Sequence, residues 1–148
     1  MKKLILAMTL AFGMSTSALA EWPMWNDFKA VGIENGRVID YSDTRSVTTS
    51  EGQSYAMFFA LVDNDRETFD DLLAWTENNL SNGDITKHFA AWLWGNNGSQ
   101  WTILDTNNAV DSDMWIAYCL LEAGRLWNRS DYTAKAHAML ELLKTQVR

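Results

Sequence analysis

The chain has 148 residues, carries a formal net charge of −7 at pH 7 and contains one cysteine and two histidines. An acidic chain repels phosphate backbones, so nucleic acid is not expected as a partner. Cys119 cannot form an internal disulfide, and His88 and His137 have no neighbours at metal-ligand spacing, so we expect neither a zinc site nor a cofactor.

Residues 1–20 have the pattern of a secretory signal peptide. Two lysines near the start precede a short apolar run over residues 4–12, and residues 18–20, Ala-Leu-Ala, are typical of a cleavage site. The apolar run is too short to span a bilayer. We therefore expect a periplasmic or secreted protein, with no membrane contact after cleavage and a single domain over residues 21–148.

A helical pattern follows this leader. Pro23 suits the first turn of a helix, and residues 35–36, Asn-Gly, end that helix. An extended link occupies residues 37–49. Ser50 and Gln53 have the spacing of a capping box, which predicts that Ser50 caps the next helix, an apolar one.

The later part of the chain contains one irregular segment between helices. A second capping-box pattern at residues 64–67 opens another apolar helix. Two short apolar runs around residues 91–105 predict a small β-hairpin or an ordered loop. Asp111 is then expected to cap a helix that continues to Trp127, and Asp131 to cap the last helix.

These elements predict an all-α domain of helix pairs with short connections, interrupted only at residues 91–105. The helical pattern continues towards Arg148 without a visible cap, so we expect an incomplete domain. The apolar stripes of its outermost helices would then lack partners. We expect self-association or poor solubility as a result.

Two helix starts carry carboxylates among small and polar residues. Glu51 follows Ser50, while Asp111 and Asp113 lie where a loop enters the later helix. One interpretation is that these acids only cap helices and complement the positive end of the helix dipole. This applies most to Asp113, the weaker candidate. The other interpretation is that rigid helix ends hold catalytic acids at one rim of a helical bundle, so Glu51 and Asp111 should face one concave surface.

Eight tryptophans are more than a core of this size needs. Flat aromatic rings stack on sugar faces, while the sugar hydroxyls take hydrogen bonds at the edge. The candidates for carbohydrate contact are Tyr55, Trp92, Trp94 and Trp101. Tyr55 and Trp92 fit core packing equally well. Trp75 and Trp127 fall on apolar helix stripes and are assigned to the core.

Two segments together resemble glycoside hydrolase family 8. Residues 49–55, Thr-Ser-Glu-Gly-Gln-Ser-Tyr, look like the acid-bearing segment of that family, and residues 109–113, Ala-Val-Asp-Ser-Asp, look like its Asp-rich signature. Val110 and Ser112 depart from the residues usual in that signature, but neither supplies an acid. The resemblance covers residues 21–148 in order.

The resemblance implies the N-terminal portion of an (α/α)6 barrel, with the cleft at the N-terminal rim of the inner helices. It implies that Glu51 is the general acid and that Asp111 grips and distorts the sugar at the cleavage point. It also implies hydrolysis with inversion, for which the general base comes from a later part of the domain. We therefore expect the chain by itself to have little activity.

The activity implied is an endo-β-1,4-glucanase, or cellulase, acting on a β-1,4-glucan chain. Residues 22–25, 36–40 and 91–95 most resemble the family members that act beside bacterial cellulose synthesis, which implies the cellulose synthase and secretion complex as a partner. Two alternatives stay open. One is a non-catalytic glucan-binding or scaffold module, and the other is a related activity as a chitosanase, xylanase or lichenase.

Overall fold

The computed structural model describes residues 22–146, so the predicted signal peptide lies outside the described residues. Five α-helices dominate residues 22–146, as the sequence predicts. They are α1 (Pro23–Gly32), α2 (Ser50–Val62), α3 (Arg66–Leu80), α4 (Val110–Trp127) and α5 (Ser130–Leu143). A single 3-10 turn, Lys144–Gln146, follows α5. In this part of the chain, no helix is both long and apolar enough to cross a bilayer.

Two small antiparallel sheets accompany the helices. The first pairs β1 (Ile33–Glu34) with β2 (Arg37–Val38), and the second has the strand order β3 (Thr48–Thr49), β4 (Ala91–Asn96), β5 (Trp101–Asn108). The hairpin predicted around residues 91–105 is therefore confirmed and extends to Asn108. The end of the extended link adds a third strand to it, because Thr48 pairs with Trp94 and Thr49 pairs with Leu93.

The hydrophobic core lies between α2, α3, α4 and α5. Met57, Phe69 and Ile116 are fully buried in it, one from each of the first three of these helices. Trp127 belongs to this core, as predicted, and its indole N–H donates to the Asn64 side chain at 2.8 Å. Trp75 is only half-buried, and its ring packs edge-on against Trp94 at a centroid distance of 5.2 Å.

The lone thiol is also part of the core. Cys119 is fully buried on α4, and desolvation raises the pKa of its thiol to about 12. A thiol held neutral among apolar side chains is a poor nucleophile and metal ligand. Cys119 therefore packs as a small hydrophobic residue, as the sequence predicts.

The predicted caps are wrong by one or more residues. Thr49, not Ser50, caps α2, and its hydroxyl accepts a hydrogen bond from the Gly52 N–H at 3.0 Å. Strand pairing holds Thr49 extended, so the helix starts directly after it. Helix α4 starts at Val110 with no side-chain cap, which places Asp111 in its first turn.

The same shift occurs at α5. This helix starts at Ser130 with no side-chain cap, so Asp131 lies in its first turn instead of capping it. The Asp131 carboxylate accepts hydrogen bonds from the Arg129 guanidinium at 2.7 and 2.9 Å. This ion pair holds the Asp131 carboxylate beside Arg129.

Gln53 has a different role from the one its spacing suggests. Its side chain is fully buried and accepts a hydrogen bond from the Val38 N–H at 2.6 Å. Its amide donates to the Gly36 carbonyl at 3.0 Å and to the Thr76 hydroxyl at 3.0 Å. Gln53 thereby joins the β1–β2 hairpin to α2 and α3, and this hairpin supports the start of α2.

An aromatic surface remains uncovered on α2 and α4. Tyr55 and Phe59 from α2 and Met114, Trp115 and Tyr118 from α4 are each at least 36% exposed. Contiguous apolar patches of this kind mark interaction surfaces or aggregation-prone surfaces. The sequence predicts such stripes on the outermost helices, whereas this surface lies on α2 and α4, which each pack against two other helices, and self-association stays a prediction.

Candidate active site

Helices α2 and α4 pack against each other, and their N-terminal ends border one cavity of about 190 Å³. The cavity is lined by Glu51, Ser54, Tyr55, Asp111, Ser112 and Trp115. Each strand that precedes these helices belongs to the same sheet, since β3 leads into α2 and β5 leads towards α4. The sheet thus fixes both helix starts next to each other.

Both carboxylates come from the second residue of a helix. Glu51 follows Ser50 in α2, and Asp111 follows Val110 in α4. The free N–H groups and the dipole of a helix end favour negative charge there. Glu51 and Asp111 are exposed and line the same concave surface, as expected from the sequence, and their catalytic roles stay predictions.

Both acids raise the pKa of Tyr55. A hydrogen bond to Glu51 is the main cause that raises the pKa of the Tyr55 phenol, and the negative charges of Glu51 and Asp111 act in the same direction. A phenol held neutral in this way keeps its proton and can donate a hydrogen bond to a carboxylate. The Tyr55 side chain is 46% exposed, so it belongs to the cavity wall and not to the core.

Trp115 was not among the site residues predicted from the sequence. Its ring meets that of Tyr55 edge-on at 6.4 Å and lies 5.2 Å from that of Phe58. The missed signal is a repeated spacing, because Trp115 follows Asp111 by four residues as Tyr55 follows Glu51 by four. Residues four apart share one face of a helix, so each helix presents one acid and one aromatic ring to the cavity.

Two serines complete the lining. The Ser54 hydroxyl donates to the Glu51 carbonyl at 2.8 Å and so fixes the first turn of α2. The Ser112 hydroxyl is buried and has no hydrogen-bond partner among residues 22–146. The Ser112 hydroxyl thus makes no hydrogen bond to either acid.

Asp113 lies outside this cavity lining, and its geometry favours the structural interpretation. It is 1% exposed, and its carboxylate accepts hydrogen bonds from the Ala90 N–H at 3.2 Å and the Asn108 amide at 2.7 Å. These bonds join the start of β4 and the end of β5 to α4. Burial is the main cause that raises the pKa of Asp113.

The raised pKa of Asp113 predicts a pH-dependent stability. The folded chain holds the Asp113 proton more tightly than the unfolded chain, so unfolding becomes easier as pH rises from about 4, the ordinary Asp pKa, through the raised pKa. Asp113→Asn removes this titration. The free energy of unfolding of Asp113→Asn minus that of the wild type should therefore increase with pH across this window and level off above it, as urea denaturation can measure.

Asp131→Asn is the control of opposite sign. The Arg129 guanidinium lowers the pKa of Asp131, so this acid adds stability that is lost as pH falls through its folded pKa. The difference for Asp131→Asn should therefore decrease as pH rises. A pH-independent difference for Asp113→Asn would show that its carboxyl titrates equally in both states.

The three predicted tryptophan contacts lie on the hairpin and not in the cavity lining. Trp92 is 37% exposed, and its indole beside Asp105 is the main cause that lowers the pKa of that carboxyl. The rings of Trp94 and Trp101 stack at 5.3 Å with an interplanar angle of 17°. Their role in carbohydrate contact stays a prediction. No group of three or more potential metal ligands occurs in the part of the chain that the structure describes.

The chain is similar to known proteins over nearly its whole length. The family model described as "Glycosyl hydrolases family 8" matches residues 1–147. An endoglucanase from Escherichia coli (strain K12) is 50% identical over 139 residues, which are 93% of this chain and 38% of that protein. The chain thus spans well under half the length of this relative.

Solved structures are also similar to this chain over most of its length. The endo-1,4-D-glucanase from Vibrio fischeri ES114 has a TM-score of 0.81 and 56% identity, covering 82% of this chain and 35% of that one. A family 8 endoglucanase from Klebsiella pneumoniae has a TM-score of 0.71 and 33% identity, covering 80% of this chain and 37% of that one. The mostly helical fold expected for the N-terminal portion of an (α/α)6 barrel is confirmed. The chain belongs to glycosyl hydrolases family 8.

Proposed function

We propose that this chain supplies the acid-bearing part of the active site of an endo-β-1,4-glucanase that cleaves β-1,4-glucan with inversion. The observation that carries the proposal is the cavity in which Glu51 and Asp111 lie together beside Tyr55 and Trp115. The relatives named endoglucanases support the same reaction class.

In this mechanism Glu51 donates a proton to the glycosidic oxygen as the bond to the leaving sugar breaks. Tyr55 orients the carboxyl through its hydroxyl, and Asp111 accepts hydrogen bonds from the sugar at the cleavage point. Trp115 provides a flat apolar wall for a pyranose face. The reaction needs no cofactor, since an acid and a base carboxyl suffice for glycoside hydrolysis.

Inversion also requires a general base that activates water on the opposite face of the sugar. The two carboxyls of an inverting pair stand about 6.5–9.5 Å apart to leave room for that water. This chain aligns with 38% of the Escherichia coli relative. We assign the general base to the part of such relatives that lies outside the aligned residues. The chain by itself is therefore proposed to have little activity.

Two further parts of the proposal concern location. The pattern of residues 1–20 supports export to the periplasm or medium. The resemblance of residues 22–25, 36–40 and 91–95 supports a role beside the cellulose synthase and secretion complex. The mass of the protein recovered from the periplasm tests export, because cleavage after Ala20 gives a chain that starts at Glu21.

The function is tested by a chimera in which this chain replaces the 139 aligned residues of the Escherichia coli endoglucanase. We expect reducing ends to form and viscosity to fall quickly with carboxymethylcellulose, as endo-cleavage requires. The isolated chain is assayed beside it. Glucan binding without any cleavage by the chimera would favour the non-catalytic module, and faster cleavage of chitosan, xylan or mixed-linkage glucan would identify the corresponding related activity.

A further inference from the structure

We infer that the tip of the β4–β5 hairpin is a second binding site for a neutral β-glucan chain, separate from the cavity of Glu51 and Asp111. The ligand class rests on the proposed function. The site consists of the stacked Trp94 and Trp101 rings and of an adjoining depression of about 280 Å³. The depression is lined by Thr44, Arg45, Ser46, Asn96, Gly98 and Trp101. We name it the hairpin site.

Arg37 holds the two rings in place. Its guanidinium carbon lies 4.6 Å from the Trp94 ring centroid and 4.7 Å from that of Trp101, both within the range of a cation–π contact. Its Nε donates to the Thr48 hydroxyl at 2.8 Å, and its other end donates to the Ser46 carbonyl. Trp101 nevertheless remains 49% exposed. A large ring that is fixed in orientation but uncovered is prepared to stack on a ligand.

The charges around the depression favour a neutral ligand. Arg45 is its only charged lining residue, and the Asp43 carboxylate accepts two hydrogen bonds from that guanidinium at 2.7 and 3.0 Å. The charge of Arg45 is therefore compensated, and the charge of Arg37 faces the two indole rings, so the depression itself offers an anion no free cation. The Asn96 side-chain oxygen accepts a hydrogen bond from the Gly98 N–H at 2.7 Å, so the Asn96 amide nitrogen and the Thr44 hydroxyl remain for hydrogen bonds to sugar hydroxyls beside the indole face.

The register of the sheet separates the hairpin site from the cavity. Strand β3 ends where Thr49 pairs with Leu93, immediately before α2, whereas the tip pair is Asn96 with Trp101. The three residue steps from Leu93 to Asn96 correspond to about 10 Å along the strand. None of the residues around the depression lines the cavity. The hairpin site therefore holds a polymer beside the cavity without taking part in bond cleavage.

The test follows indole N–H signals by ¹H–¹⁵N NMR while cellohexaose is added to the full chain. We expect the Trp101 signal to shift with a saturable curve, and to do so equally in Trp115→Ala, which alters the cavity wall. Trp101→Ala should weaken cellohexaose binding at the Trp94 signal about tenfold, the effect of losing roughly one stacking contact. Trp101→Phe should restore most of the affinity.

Phe28→Ala is the matched control, because Phe28 is a 38% exposed aromatic residue that lines neither site. It should bind cellohexaose as the wild type does. A Trp101 signal that does not respond to cellohexaose, or responds better to an acidic oligosaccharide, would overturn the inference. If the chimera cleaves carboxymethylcellulose while the Trp101 signal does not shift, only the inference of the hairpin site is wrong. If the Trp101 signal shifts with cellohexaose although the chimera is inactive, only the catalytic proposal is wrong.

Discussion

Replacing Glu51 with Gln is expected to lower the rate of carboxymethylcellulose cleavage by the chimera about a thousandfold. General acid catalysis contributes roughly 10²–10⁴ to a rate, and an amide cannot supply the proton that the leaving oxygen needs. Binding should change little, since Gln fills the same space. The measurement is the rate of reducing-sugar release at saturating substrate, together with the affinity for cellohexaose.

The chain offers matched controls for this experiment. Glu67 is the second residue of α3, as Glu51 is of α2, but it lies outside the cavity lining. Glu67→Gln therefore changes a helix-start acid of the same kind and should leave the rate unchanged. Asp111→Asn should also impair cleavage, whereas Asp131→Asn, at the second residue of α5, should not. Equal rates for Glu51→Gln and Glu67→Gln would defeat the assignment of the acid.

Replacing Gln53 with Leu is expected to reduce the free energy of unfolding by about 3 kcal/mol, because two buried groups lose their partner at about 1–3 kcal/mol each. The Val38 N–H and the Gly36 carbonyl are those groups. Leu has a similar volume, so the loss reports the hydrogen bonds and not a cavity. Urea denaturation of the full chain measures it as a lower midpoint with an unchanged slope.

Gln100→Leu is the control for this change. Gln100 is an exposed residue between β4 and β5, so its replacement should alter the free energy of unfolding by less than about 0.5 kcal/mol. Gln53→Leu should also weaken the contact of the β1–β2 hairpin with the start of α2. Because Glu51 lies at this helix start, we expect the change to lower the chimera's activity. Wild-type stability in Gln53→Leu would mean that the Val38 and Gly36 groups find other partners.

The sequence was sufficient for the helices and the hairpin. Apolar spacing of three and four residues predicts α3 and α4, and the two apolar runs around residues 91–105 predict β4 and β5, because these signals are local. The capping residues were mispredicted for a reason that is not local. Thr49 caps α2 because pairing with Leu93, 44 positions along the chain, holds it extended.

The aromatic residues show the same division. Composition indicates that the core does not need every tryptophan. The sequence predicts that the hairpin residues Trp92, Trp94 and Trp101 contact carbohydrate. It does not show that Arg37 holds Trp94 and Trp101 together, since β2 and the hairpin meet only in the folded chain. Trp115 was missed because a tryptophan on an apolar helix is usually buried, and only the packing of α2 on α4 leaves it at the cavity edge.

By itself the sequence determined that four helices each carry an acid near their start: Glu51, Glu67, Asp111 and Asp131, each of which the structure places at the second helical position. Local chemistry makes these four equivalent, because each complements a helix dipole. Only the tertiary structure decided which of them act together. The sheet of β3, β4 and β5 sets the starts of α2 and α4 side by side, so Glu51 and Asp111 share a cavity while Glu67 and Asp131 lie elsewhere on the surface.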